Sequence, residues 1–140
     1  MQHAHLPDTV ANPIIERILR EIPGILAIYA YGSRIRGEEH PGSDLDLALL
    51  LPRGTDVSPD LLAQLEGDFE ALAGFPVELA ILCLETQVVH CKEVIARGTP
   101  LYVADRRALD EFEMHALSYY ARLCEDRRPV LQAYAGVKHG

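Results

Sequence analysis

Residues 31–51 read YGSRIRGEEHPGSDLDLALLL. The second half alternates two aspartates, Asp44 and Asp46, with leucines that want to be buried. In a β-strand, residues i and i+2 share a face, about 7 Å apart. Asp44 and Asp46 therefore project side by side, while Leu45, Leu47 and Leu49 point the other way into a core. Neighbouring carboxylates repel each other. A hard divalent cation such as Mg²⁺ removes that conflict, because it takes carboxylate oxygens together with water and substrate phosphates. The bland alternative is a half-exposed strand with a solvated acidic face.

Two further features favour chemistry. Glu78 lies in a second apolar run, Pro76-VELAI-Leu82. On a neighbouring strand it completes a triad with the aspartates; alone, it reads as a surface residue of an edge strand. Gly32-Ser33 follows an apolar strand directly. A glycine turn at a helix start aims backbone N–H groups at an anion and lets a phosphate approach closely. The Ser33 hydroxyl adds a donor, and Arg34 and Arg36 can clamp phosphate oxygens. Gly-Ser, ten residues, then Asp-x-Asp is far more specific than either part alone.

Outward from this stretch the chain alternates helices and strands. Asn12-Pro13 reads as a helix start, with Ile14, Ile15, Ile18 and Leu19 at helical spacing and Pro23-Gly24 as the stop. Ile25 to Tyr31 is a short buried strand. Gly32-Ser33 opens a short helix through Arg36, and Asp44 to Leu51 is the next strand. Ser58-Pro59 starts a helix through Leu61, Leu62, Leu65, Phe69 and Leu72, ended by Gly74. Pro76 to Leu82 is a third strand, and Glu85 to Ala96 a helix stopped by Gly98-Thr99-Pro100. Leu101 to Val103 is briefly extended. A long helix follows from Asp105, broken or kinked at Pro129. The predicted architecture is a mixed α/β layer, helices on a sheet, in one domain spanning 1–140. Residues 1–11 and 136–140 are expected to be flexible, and 105–134 to form a C-terminal helical segment.

The chain has 140 residues and a formal net charge of −8. That length buries roughly 70% of the unfolded surface and needs no disulfides. The acidity argues against a sequence-independent grip on nucleic acid. Cys83, Cys91 and Cys124 show no CxxC spacing and read as buried thiols. No apolar run approaches the roughly 20 residues of a membrane span. The N-terminus lacks a secretory pattern, so the cytoplasm is the default location.

With these residues in place, the stretch resembles the signature of the minimal nucleotidyltransferases, a branch of the DNA polymerase β-like superfamily. Gly32, Ser33, Arg36, Gly37, Ser43, Asp44, Asp46 and Leu47 match the pattern; Ile35 replaces its usual small residue. Val77-Glu78-Leu79 stands where the family carries Val-Asp-Leu, so Glu replaces the usual third Asp. The stretch VIARGTPLYVADRRALDEFE is also similar to the family's ending.

The resemblance implies the polymerase β-like fold and transfer of a nucleoside monophosphate from an NTP, ATP by precedent, to a hydroxyl. It implies two Mg²⁺ ions, with Mn²⁺ as the alternative, about 4 Å apart. Asp44 and Asp46 would bridge both ions, and Glu78 would hold the one nearer the acceptor. Gly32, Ser33, Arg34, Arg36 and Ser43 would bind the nucleotide.

Stand-alone chains of this kind resemble the antitoxin half of a pair with a HEPN-type ribonuclease, which implies AMP transfer to a tyrosine of that toxin. The resemblance leaves homo- or hetero-oligomers open. Two alternatives are a small-molecule transferase of the aminoglycoside type and an antitoxin acting by steric binding. On the long helix, Phe112, His115, Tyr119, Tyr120 and Leu123 read either as core or as an exposed aromatic patch for a partner. His40 reads as a solvated loop histidine, and His90 lacks metal-ligand spacing.

Overall fold

The computed structural model describes residues 6–32 and 44–139, with side chains through residue 126. Four helices and four strands follow in the order α1 (Asp8–Glu21), β1 (Ala27–Tyr31), β2 (Leu45–Leu50), α2 (Pro59–Ala73), β3 (Val77–Ile81), α3 (Val88–Arg97), β4 (Thr99–Val103) and α4 (Arg106–His139). The sheet order is β3-β2-β1-β4. β1 pairs antiparallel with both β2 and β4, and β2 pairs parallel with β3 across the α2 crossover.

Strand alternation sorts the core into two layers. Leu45, Leu47 and Leu49 face α1 and α2, where Ile14, Ile18, Leu65 and Phe69 join the same cluster. Ala27, Tyr29, Ala48 and Leu50 face the other way, and meet Cys91 and Val94 of α3 and Leu109 and Ala116 of α4. The predicted burial of the three alternate leucines is therefore met, each being fully buried.

The helix ends follow local chemistry. Ser58 caps α2: its hydroxyl accepts from the N–H groups of Asp60 and Leu61 at 3.1 and 3.3 Å. Such a cap contributes about 1 kcal/mol. Gly74 closes the helix in the left-handed region, φ 84°. Leu72, expected on the core face, is half exposed.

Several boundaries differ from expectation. α1 begins at Asp8, so Asn12-Pro13 lies inside it and residues 8–11 are helical. The burial of Ala11 with Ile14 and Ile18 extends the apolar stripe one turn earlier than the proline implied. α3 begins at Val88, because residues 83–87 form a turn in which the Gln87 N–H donates to Cys83 O at 2.9 Å. β4 includes Thr99 and Pro100, which an edge strand tolerates. α4 continues through Pro129 to His139, taking in most of the expected tail; a proline removes one donor from a helix without having to end it. Among the described residues no helix is long and apolar enough to cross a membrane.

Candidate active site

On the α3/α4 face of the sheet, the inward residues change character along the strands. Ala27, Tyr29, Ala48 and Leu50 are apolar core. One step towards the other end stand Tyr31, Asp46 and Glu78. Their registers make a row across three strands: Tyr31 opposes Asp46 in the β1–β2 pair, and Asp46 opposes Glu78 in the β2–β3 pair. Exposure rises along it, from half-buried Tyr31 and Asp46 to exposed Glu78. Asp44 sits one residue before β2 and is exposed. By strand parity it would extend the same face beyond Asp46.

Gly32 ends β1 with φ 98°. A Cβ built there would lie 2.5 Å from Asp46 Oδ2, so the bare Cα is what lets this carboxylate occupy its place. Gly98 has a similar role on α3. A Cβ there would meet Val94 O at 2.5 Å, Ala30 O at 3.2 Å and Tyr31 Cβ at 3.4 Å. The C-terminal end of α3 is thereby drawn against the end of β1.

The electrostatics agree with a shared acidic face. The Tyr31 phenol is pushed up to about 12, first by burial and then by the negative charges of Asp46 and Glu78. Further inside, the Tyr29 hydroxyl donates to Glu113 on α4. Burial, then that carboxylate, raises the Tyr29 pKa.

Among the described residues no three His, Cys, Asp or Glu side chains converge tightly enough to enclose an ion by themselves. Mg²⁺ does not require that: it is commonly held by one or two carboxylates, with water and substrate phosphates completing its shell. An acid row open on one side, with a carboxylate seated over a glycine, fits such a site.

Of the residues singled out from the sequence, the structure places Gly32, Asp46 and Glu78 together and Asp44 at the strand entrance. Ser33, Arg34, Arg36 and Ser43 lie outside the described residues, as does His40. Tyr31 and His90 were missed as site residues. Their rings meet edge to face, with centroids 5.6 Å apart. The available signal was parity: Tyr31 follows Ala27 and Tyr29 on one face and directly precedes Gly32.

The remaining expectations divide. Cys91 is buried, but Cys83 is half-buried and Cys124 exposed. On α4, Phe112 packs on the core, while His115 and Tyr119 are exposed, as are Met114 and Leu117. A groove of about 790 Å³ opens between residues 50–56 and Phe112, His115 and Tyr119. It lies at the Leu50 end of β2, away from the acid row.

Comparison with known proteins bears on this arrangement. The family model described as Polymerase beta, Nucleotidyltransferase matches residues 14–107, which include Gly32, Asp44, Asp46 and Glu78. A curated relative, protein adenylyltransferase MntA of Shewanella oneidensis, is 28% identical over 127 residues, covering 86% of this chain and 84% of its own. A chain of a toxin–antitoxin crystal structure with AMP-PNP superposes with a TM-score of 0.73 at 24% identity, over 88% of this chain and 97% of that one. A chain from tri-AMPylated Shewanella oneidensis HEPN toxin in complex with MNT antitoxin gives 0.71 at 22%, over 90% and 96%. The solved structures share the fold, the mixed sheet with flanking helices predicted from the sequence. With the family model spanning two-thirds of the sequence, from α1 to the start of α4, the chain belongs to the polymerase β-type nucleotidyltransferases.

Proposed function

We propose that this chain transfers AMP from ATP to a hydroxyl of a partner protein, and that the acceptor is a tyrosine of a HEPN-type ribonuclease toxin. The observation that carries the reading is the row Asp46–Glu78 in register beside Gly32, with Asp44 at its entrance. The name of the MntA relative, a protein adenylyltransferase, supports a protein acceptor. The AMPylated toxin bound to a fold neighbour supports the choice of partner.

In this reading the acceptor oxygen attacks the α-phosphorus of ATP, the bond to the β-phosphate oxygen breaks, and pyrophosphate leaves. Asp44, Asp46 and Glu78 would hold two Mg²⁺ ions, whose chemistry is to stabilise charge on the attacking and leaving oxygens. Glu78, the most exposed of the row, would take the hydroxyl proton of the acceptor. The Gly32 turn lets the triphosphate approach the backbone, with Ser33 and Ser43 as hydroxyl donors. Arg36 and Arg34 balance the charge of the departing pyrophosphate.

The test is the intact mass of the candidate toxin after incubation with this chain, ATP and Mg²⁺. A gain of one or more AMP units, absent with Asp44→Ala/Asp46→Ala, is expected. Tight complex formation without any mass gain would overturn the reading in favour of steric inhibition.

A further inference from the structure

Tyr31 lies against α3 and its cap. A Cβ on Gly98, just after the helix, would stand 3.4 Å from the Tyr31 Cβ, and the Tyr31 ring meets His90 at a 71° interplanar angle. The His90 Nε2 atom is buried and has no hydrogen-bond partner among the described residues. A ring nitrogen placed there costs free energy, since a buried polar atom without a partner loses its water. Such a placement is better suited to fixing a neighbour than to stabilising the fold. The neighbour it fixes is the residue directly across from Asp46.

Asp46 is thus bounded on three sides. The Gly32 Cα lies against its carboxylate, Tyr31 opposes it on β1, and Glu78 opposes it on β3. Directly opposed side chains in a sheet limit each other's rotamers. A metal ligand in turn is only as well aimed as the groups around it allow.

We propose that Tyr31, clamped by His90 of α3, is a positioning residue that sets the orientation of the Asp46 carboxylate for metal binding. The ring, rather than the hydroxyl, carries this role, because the contact with His90 is made by the ring. The inference rests on the two-metal reading above and adds a link from α3 to the acid row. Movement of α3 would reach Asp46 through this pair.

The test is binding of Mn²⁺ in the presence of AMP-PNP, followed by the electron paramagnetic resonance of the free ion, with no acceptor needed. Tyr31→Leu is expected to weaken Mn²⁺ binding about tenfold, the low end of such supporting effects, with Tyr31→Phe within about twofold of the parent. His90→Leu should weaken it in the same direction, and the double variant His90→Leu/Tyr31→Leu should bind no worse than Tyr31→Leu. A purely structural role would lower thermal stability equally in Tyr31→Leu and leave Mn²⁺ affinity intact in the folded fraction, which would overturn the proposal. Should Tyr31→Leu not fold, unchanged Mn²⁺ affinity in His90→Leu overturns it instead. A parent chain that binds no Mn²⁺ refutes the two-metal reading and this inference with it. A parent that binds Mn²⁺ but modifies no toxin refutes only the acceptor, and the same titration still decides the role of Tyr31.

Discussion

Gly32 and Asp46 are in such close approach that a Cβ on the glycine would stand 2.5 Å from Oδ2 of the carboxylate. The glycine also has φ 98°, where an L side chain is strained. Gly32→Ala therefore combines backbone strain with displacement of the central acid of the row. Strain of this type costs about 1–3 kcal/mol. We expect a lower urea midpoint together with a loss of transfer activity larger than the lost folded fraction explains. Activity that tracks the folded fraction alone would mean that Asp46 can move without consequence.

Glu78 tests whether a glutamate serves as the third acid of the row. It opposes Asp46 in register but reaches one methylene further. Glu78→Gln keeps the size and removes the charge, and a drop of about 10²–10⁴-fold in kcat is expected for a group that takes the acceptor proton. Glu78→Asp should retain more activity than Glu78→Gln. Equal activity of parent and Glu78→Gln under single-turnover conditions would remove Glu78 from the chemistry.

The edge strand beneath Glu78 has its own support. Glu66 of α2 accepts from the Leu79 N–H at 2.9 Å, on a strand that forms the end of the sheet. Glu66→Ala leaves that partly buried donor unpaired and should cost about 1–3 kcal/mol. Glu66→Gln keeps a carbonyl acceptor at the same reach and should recover most of it. Equilibrium unfolding in urea distinguishes the two; identical losses would show that charge, not the hydrogen bond, matters.

What could be read in the sequence was whatever depends on period two or on a local cap. The alternation of Asp44 and Asp46 with Leu45, Leu47 and Leu49 assigns faces without knowledge of the rest of the chain. Ser58 and Gly74 mark the ends of α2 in the same local way. One proline misleads: Asn12-Pro13 reads as a helix start, yet Pro13 lies within α1, while α4 runs on through Pro129. Tertiary burial of Ala11 outweighs the missing donor of Pro13. The Tyr31–His90 contact joins residues far apart in sequence and depends on how α3 crosses the sheet. No local pattern encodes it. Gly98 read as a helix stop, and its closeness to Ala30 and Tyr31 emerges only from packing.

Alkaline pH offers a test of the buried tyrosines. The Tyr31 pKa is raised to about 12 in the folded chain, by burial first and the acids second, against about 10 in an unfolded chain. A group with a raised folded pKa contributes stability that is complete below the unfolded value and is lost as pH climbs towards the folded one. Stability should therefore hold up to about pH 10 and fall as pH rises towards about 12, where the unfolded chain releases this proton more readily. Tyr29, raised by burial and Glu113, acts in the same direction. Tyr31→Phe should make the alkaline decline shallower, and Tyr29→Phe/Tyr31→Phe shallower still, although Tyr29→Phe also loses its hydrogen bond to Glu113. Urea unfolding at a series of pH values between neutrality and pH ~11 measures the slope. An unchanged slope in both variants would place the alkaline sensitivity elsewhere in the chain.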